Sequence, residues 1–406
     1  MQGRASAAFG AAVLSALCLI GLGIATFAAC ARGQRREPAT AWTLKEMEVE
    51  VATRSDPTQF ERQHVVLMAI DGVRWQDVFH GVDAELARKH GVPAAEVVPA
   101  DALLPNLYRL ARLRGTAIGA PGHGAPIEAS GPNFVSVPGY MEMLTGRSPA
   151  LFAGNDCPQI PEPTLLDELV AMPGVRASDV AVIASWEGVE KAASIDPGRI
   201  AISVGRTHGK TRALIGADAE GARLLKAGEN AGPDPGHGDF RRDEVTKQLA
   251  LHYLRTQRPR FLFIGLGETD EYGHRRDYRG YLRALRDADR AIADVSQVLE
   301  GFEREGEDTL LLVTADHGRA DDFETHGAHA PESARVFLFA MGSRFGTRGY
   351  ANAAIPRRLA DLAPTLRHAL GLPPDPSTYA GHVLDELAVT PPSPIRRRTV
   401  ARVSQQ

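Results

Sequence analysis

Short apolar runs punctuate the chain: "HVVLMAI" (64–70), "DVAVIAS" (179–185), "RFLFIGLG" (260–267), "DTLLLVTA" (308–315) and "RVFLFAMG" (335–342). Each is bounded by Gly, Pro or charged residues, and each is continuous rather than alternating. Continuous runs of this length suit strands buried on both faces of a mainly parallel sheet. Between them the spacing becomes helical, in "PNLYRLARLRG" (105–115), "PTLLDELVAM" (163–172) and "YRGYLRALRDADRAIADVSQVL" (278–299). Proline at the first helical position accounts for the first two starts. Strands alternating with helices predict a three-layer, doubly wound α/β fold with helices on both faces of the sheet. No internal repeat interrupts this pattern. Residues 187–245, rich in Gly, Asp and Lys, read as an insertion or cap above the sheet rather than as a core element.

The first residues break the pattern. From Ala5 to Cys30 the chain is apolar, after a single arginine, Arg4. Such a run at a terminus reads as an export signal, and its length also suits an uncleaved membrane anchor. "FAAC" loosely resembles a lipid-attachment signal ending at Cys30, although Phe27 is a poor residue for its first position. The expected organisation is a signal or anchor over 1–30 and a polar linker over 31–60. A single folded body over 61–390 and a flexible tail over 391–406 complete it. The expected location is exported, periplasmic or held at the membrane through the N-terminal segment.

Charge and cysteine content narrow the chemistry. The formal net charge is -4, so no nucleic-acid partner is expected. The chain has 3 cysteines, two of them in the N-terminal run and Cys157 alone in the body. No disulfide framework or thiolate zinc cluster can be built from them. A metal, if present, must rest on Asp, Glu and His.

In open α/β sheets, sites form beyond the carboxyl ends of the strands. The first run ends in Asp71-Gly72. The third runs into "ETDEYGH", with Asp270 and His274, and the fourth into Asp316-His317-Gly318. Three strands thus deliver metal-binding side chains to one edge. Zinc takes His nitrogen and carboxylate oxygen at about 2.0–2.2 Å. The Asp-x-x-x-His spacing puts Asp270 and His274 on one face of a helical turn. A second metal about 3.5–4 Å away would need the further carboxylates, and the pair would clamp the oxygens of a transferring phosphoryl group. "FVSVPGYMEMLTG" (134–146) places Ser136 before Pro138 at the start of a helix, where backbone N–H groups attract anions. Serine is a poor nucleophile unless activated, and a metal is one means. Asn133, three residues earlier, is either a turn residue or a hydrogen-bond donor to a phosphoryl oxygen.

In this order, Asp71-Gly72, "SVP" before a helix ending "LTG", "TDEYGH", "TADHG" and a His-Gly resemble the alkaline phosphatase superfamily. They look closest to its type I phosphodiesterase and nucleotide pyrophosphatase branch. The resemblance runs from about residue 64 to about 389, including "DLAPTLRHALGLPPDPSTYAGHVLDEL" (361–387). It implies two divalent metals, Zn²⁺ in both places. One is held by Asp71, Asp316 and His317 with Ser136 bridging toward it. The other is held by Asp270, His274 and a histidine from "ETHGAHAPES". His326 is favoured because glycine follows it, and His329 is the alternative. The implied activity is hydrolysis of a phosphate mono- or diester through a phosphoseryl intermediate. The implied substrate is a small molecule or derives from the cell envelope.

Two rivals share parts of the pattern. Sulfatases use a Cys or Ser, then x-Pro-x-Arg, converted to formylglycine. Here Tyr140 stands where that arginine belongs. A phosphoryl transferase acting on envelope components would usually carry several membrane spans. His123, His208 and His237 read as surface histidines, and Lys191, Arg206, Lys210 and Arg212 as solubilising charges.

Overall fold

The computed structural model describes residues 63–148, 154–375 and 381–387. The apolar N-terminal run, the linker and the tail over 391–406 lie outside them. Among the described residues no helix is long and apolar enough to cross a membrane.

Among the described residues the central sheet has eight strands: β1 (Gln63–Ile70), β2 (Gly115–Ile118), β3 (Val180–Ala184), β4 (Ala201–Val204), β5 (Phe261–Leu266), β6 (Asp308–Thr314), β7 (Leu338–Gly342) and β8 (Gly349–Tyr350). Their spatial order is β8-β2-β7-β6-β1-β5-β3-β4. The pairings are parallel except those of β7, which runs antiparallel to β2 and β6. Every residue of β1 is buried, as the continuous run demanded. A large residue of β1 cut back to alanine would cost about 2–5 kcal/mol, because the sheet is covered on both faces.

The helices used below are α1 (Pro105–Arg114), α2 (Ser136–Thr145), α3 (Leu165–Val170), α4 (Ala219–Asn230), α5 (Asp243–Gln257), α6 (Glu268–His274), α7 (Tyr278–Arg304) and α8 (Leu362–Leu370). Pro105 does begin α1. Pro163 does not begin α3. Thr164 caps that helix in a capping box with Asp167, so the proline lies one residue before the cap. Asp289 on α7 is buried and accepts from the N–H groups of Asn106 and Leu107, capping α1 from a distance. Asp287 on the same helix is half-buried and pairs with Arg290.

Two boundaries move. The run 335–342 is not one strand: Arg335–Val336 joins a separate three-stranded sheet, and only Leu338–Gly342 enters the main sheet. More important, 187–245 is not only a cap. It contains β4, fully buried and paired in parallel with β3 at the sheet edge, as well as the amphipathic α4. The run "AISV" is only four residues long, so the Gly- and Asp-rich surroundings outweighed it in the sequence.

Candidate metal centre and nucleophile

β6, β1 and β5 are neighbours, and their registers bring Ile70 opposite Leu266 and Ala69 opposite Thr314. The residues that follow each strand therefore emerge side by side. The structure gathers Asp71, Asp316 and His317 with ligand atoms within 4.8 Å of one another, and likewise Asp270, His317 and His326. His274 closes the outer end, its Nε2 2.8 Å from Asp270 Oδ2 and 3.2 Å from His326 Nε2. His326 Nε2 is 3.6 Å from Asp270 Oδ1. His329 is exposed and does not join the cluster.

Each carboxylate has one oxygen tied by the protein and another facing the cluster. Tyr140 donates to Asp71 Oδ2 at 2.7 Å, leaving Oδ1 3.4 Å from His317 Nε2. The Gly72 N–H donates to Asp316 Oδ1 at 3.2 Å, while the buried Oδ2 has no hydrogen-bond partner. Arg319 Nη2 donates to Asp270 Oδ1 at 2.7 Å, leaving Oδ2 toward His274. Gly72 itself has φ +61°, and a Cβ there would meet Asp270 Oδ1 at 2.2 Å, so only glycine permits this approach.

The imidazoles are oriented the same way. His317 Nδ1 is 2.9 Å from the Gly318 carbonyl and His326 Nδ1 3.0 Å from the Phe134 carbonyl. A carbonyl only accepts, so each Nδ1 carries a proton and each Nε2 is the nitrogen turned toward the carboxylates, the usual orientation of a metal-ligating histidine.

The electrostatics point to missing positive charge. Burial, and then repulsion from Asp71, pushes Asp316 well above the usual carboxylate range. Burial opposes charge on His317, yet Asp316 and Asp71 raise it to about 10. Asp270 is held well below its ordinary value: burial works against this, but Arg319 and His326 outweigh it. Burial, then His317, lowers His326 to about 4, so that imidazole is neutral and available as a ligand. Three buried carboxylates, histidines turning Nε2 toward them and an Asp316 oxygen with no hydrogen-bond partner fit divalent cations bound by oxygen and nitrogen.

Ser136 opens α2 and is buried. Its Oγ lies 3.2 Å from Asp71 Oδ1 and 3.4 Å from His317 Nε2. The residue before it, Val135, offers no side-chain cap. Asn155 supplies one instead, accepting from the Val137 N–H at 3.0 Å, and Lys191 holds the Asn155 carbonyl at 2.9 Å. Gly146, in the left-handed region, ends the helix as expected of the "LTG" sequence. Asn133 uses its Oδ1 on the Ala328 N–H at 2.8 Å, tying the Ser136 approach to the His326 loop.

Sequence reasoning missed Tyr140 as a partner of Asp71, and it missed Arg319, Asn155 and Asp243. Asp243, at the start of α5, accepts from the Gly267 and Glu268 N–H groups at 2.8 and 3.0 Å and so anchors the start of α6. Tyr140 lay inside the "FVSVPGYMEMLTG" stretch and Arg319 adjoined "TADHG", whereas Asn155 and Asp243 adjoined no recognisable motif. His208 pairs with Glu187 and Asp239 in a solvent-facing group beyond β3 and β4. His237 is exposed, and His123 rests against Tyr350. Arg212 pairs with Glu229.

Residues 239–374 match the Metalloenzyme superfamily. A phosphopentomutase of Acetivibrio thermocellus is 36% identical over 123 residues, which are 30% of this chain and 29% of that protein. The chain spans less than a third of the length of the curated relatives it matches. Among solved structures, a 2-O GAG sulfatase is 14% identical with a TM-score of 0.50, covering 80% of this chain and 74% of that one. The alkaline phosphatase PafA is 12% identical with a TM-score of 0.49, covering 80% and 98%.

Proposed function

We propose that this chain, which matches the Metalloenzyme superfamily over residues 239–374 and resembles the alkaline phosphatase superfamily, is a metal-dependent phosphoric ester hydrolase with Ser136 as nucleophile. The observation that carries this reading is the buried Ser136 hydroxyl, set at a helix start within 3.2–3.4 Å of Asp71 and His317. Asp71, Asp316 and His317 would hold one cation, and Asp270, His274 and His326 another. Nitrogen and carboxylate donors favour zinc in both places. When bound, the cations stabilise charge on the transferring phosphoryl group and make the serine a better nucleophile.

The chain's own residues do the rest. The Ser136 Oγ–P bond forms as the P–O bond to the alcohol breaks, and the alcohol leaves carrying a proton. Water then cleaves the Ser136–phosphoryl bond and regenerates the hydroxyl. Asp71 Oδ1 is the carboxylate oxygen that receives the hydroxyl in the structure, held ready by Tyr140 on its other oxygen. Asn133 would meet a phosphoryl oxygen through its amide Nδ2, since Oδ1 is engaged by Ala328. We place the enzyme outside the cytoplasm, with a small or envelope-derived phosphate ester as substrate, on the apolar run Ala5–Cys30.

The segment shared with phosphopentomutases supports a second reading, a phosphomutase that returns the phosphoryl group to the same molecule. Sulfate ester hydrolysis is disfavoured by Tyr140, which is committed to Asp71 where a formylglycine signature requires arginine. The test is a panel of p-nitrophenyl phosphate, bis-p-nitrophenyl phosphate, thymidine monophosphate p-nitrophenyl ester, p-nitrophenyl sulfate and a pentose phosphate. Zinc is restored after chelation. Turnover of phosphate esters is expected, with roughly 10³-fold loss or more in Ser136→Ala while its melt and metal content persist. Near-normal rates in that variant would remove Ser136 from the mechanism. Turnover confined to the sulfate ester, with one calcium and no zinc by elemental analysis, would overturn the reading.

A further inference from the structure

The two halves of the centre differ in the charge of the groups that tie their carboxylates. In the inner half, Asp71 is tied by the neutral Tyr140 hydroxyl and Asp316 by the neutral Gly72 N–H. In the outer half, Asp270 is tied by a cation. Arg319 is fully buried, and its Nη2 donates both to Asp270 Oδ1 at 2.7 Å and to the Asp270 carbonyl at 2.9 Å. Its guanidinium lies against Gly273, where a Cβ would come within 2.2 Å of Cζ. Its Nε and Nη1 have no hydrogen-bond partner among the described residues. Among the described residues, no buried lysine or arginine is tied to the two carboxylates of the inner half. In the outer half the single carboxylate is offset by Arg319.

We propose that Arg319 is a positioning residue that makes the two cation sites unequal. It turns Asp270 Oδ2 outward and takes up most of that carboxylate's charge, so the outer cation binds after the inner one and leaves first. This rests on the two-cation reading above. The physical reason is that a buried positive charge one carboxylate away repels a divalent ion in a medium of low dielectric. Exposure acts in the same direction, since the His274 side chain is 50% exposed and that of His317 0%. Variants at Arg319 separate charge from exposure.

The experiment titrates metal-stripped protein with Zn²⁺ against a chromophoric chelator. Two steps are expected, separated by about 10–100-fold in affinity, the range typical of groups that orient metal ligands. His274→Ala should remove the weaker step and leave the tighter. Arg319→Gln, which keeps a neutral amide donor, should draw the steps together, whereas Arg319→Lys, which keeps a buried cation, should preserve the gap. An unchanged or wider gap in Arg319→Gln, or a Lys variant that behaves like Gln, overturns the proposal. Should Arg319→Gln fail to fold by circular dichroism, Arg319→Met, uncharged and of similar length, takes its place with the same expected narrowing of the gap. Two equal steps, or loss of the tighter step in His274→Ala, overturn the proposal alone. A total of one equivalent in the wild type overturns the two-cation reading, and the proposal with it.

Discussion

The helices that carry the reactive groups, α2 with Ser136 and α6 with Asp270 and His274, are anchored in opposite ways. Neither starts with a side-chain cap of its own, since Val135 and Gly267 provide none. α2 borrows the neutral amide of Asn155 and is buried on almost every face. α6 borrows the carboxylate of Asp243, which also accepts from the Ser185 hydroxyl, and it ends at the exposed His274. Burial, and then repulsion from Glu268, pushes Asp243 up to about 7. The difference shows where each helix gets its position: α2 from packing, α6 from a polar network. His326 joins them, with Nδ1 on the Phe134 carbonyl just before α2 and Nε2 beside His274 on α6.

The largest way to break this comparison is to cut that joint. His326→Ala should lose one zinc equivalent by elemental analysis and at least about 10²-fold in turnover. His329→Ala, at an exposed position, should keep both metals and its rate. The reverse outcome would move the ligand to His329.

A second measurement sharpens the account of α2. Glu142 lies in its buried face and accepts from Ser130 and from the Ala360 N–H. Burial raises it from 4.5 to about 7. A carboxyl raised in the folded state is no burden below its unfolded value and costs stability as pH rises toward the folded one. From about pH 5.5 to about 7.5 this amounts to about 2 kcal/mol of lost stability. Glu142→Gln should flatten that part of the urea-midpoint profile relative to wild type. A parallel profile would show that Glu142 is not the group responsible.

The smallest effects come from the borrowed caps. Asn155→Ala should cost about 1 kcal/mol and Asp243→Ala about 1–2 kcal/mol. The comparison predicts that only Asp243→Ala also weakens the outer zinc step, because only α6 depends on its cap to place ligands. If Asn155→Ala weakened that step equally, the two anchors would not be independent.

What the sequence determined was the set of strong local signals. Long apolar runs fixed β1, β5 and β6, and the acidic and histidine residues directly after them had nowhere to go but the sheet's carboxyl edge. His326 was favoured over His329 only through the resemblance, in which a glycine follows the histidine. Elements whose identity depends on distant partners were not legible. β4 is four residues long and is a strand because β3 lies beside it. Pro163 misled because the capping box of Thr164 and Asp167 outweighed it. Tyr140, Arg319, Asn155 and Asp243 act across 69, 49, 18 and 24 residues of chain. No spacing rule reaches that far. Only the tertiary structure decided which oxygen of each carboxylate is tied and which is offered. Hydrogen bonds form between groups that the fold, not the chain order, makes neighbours.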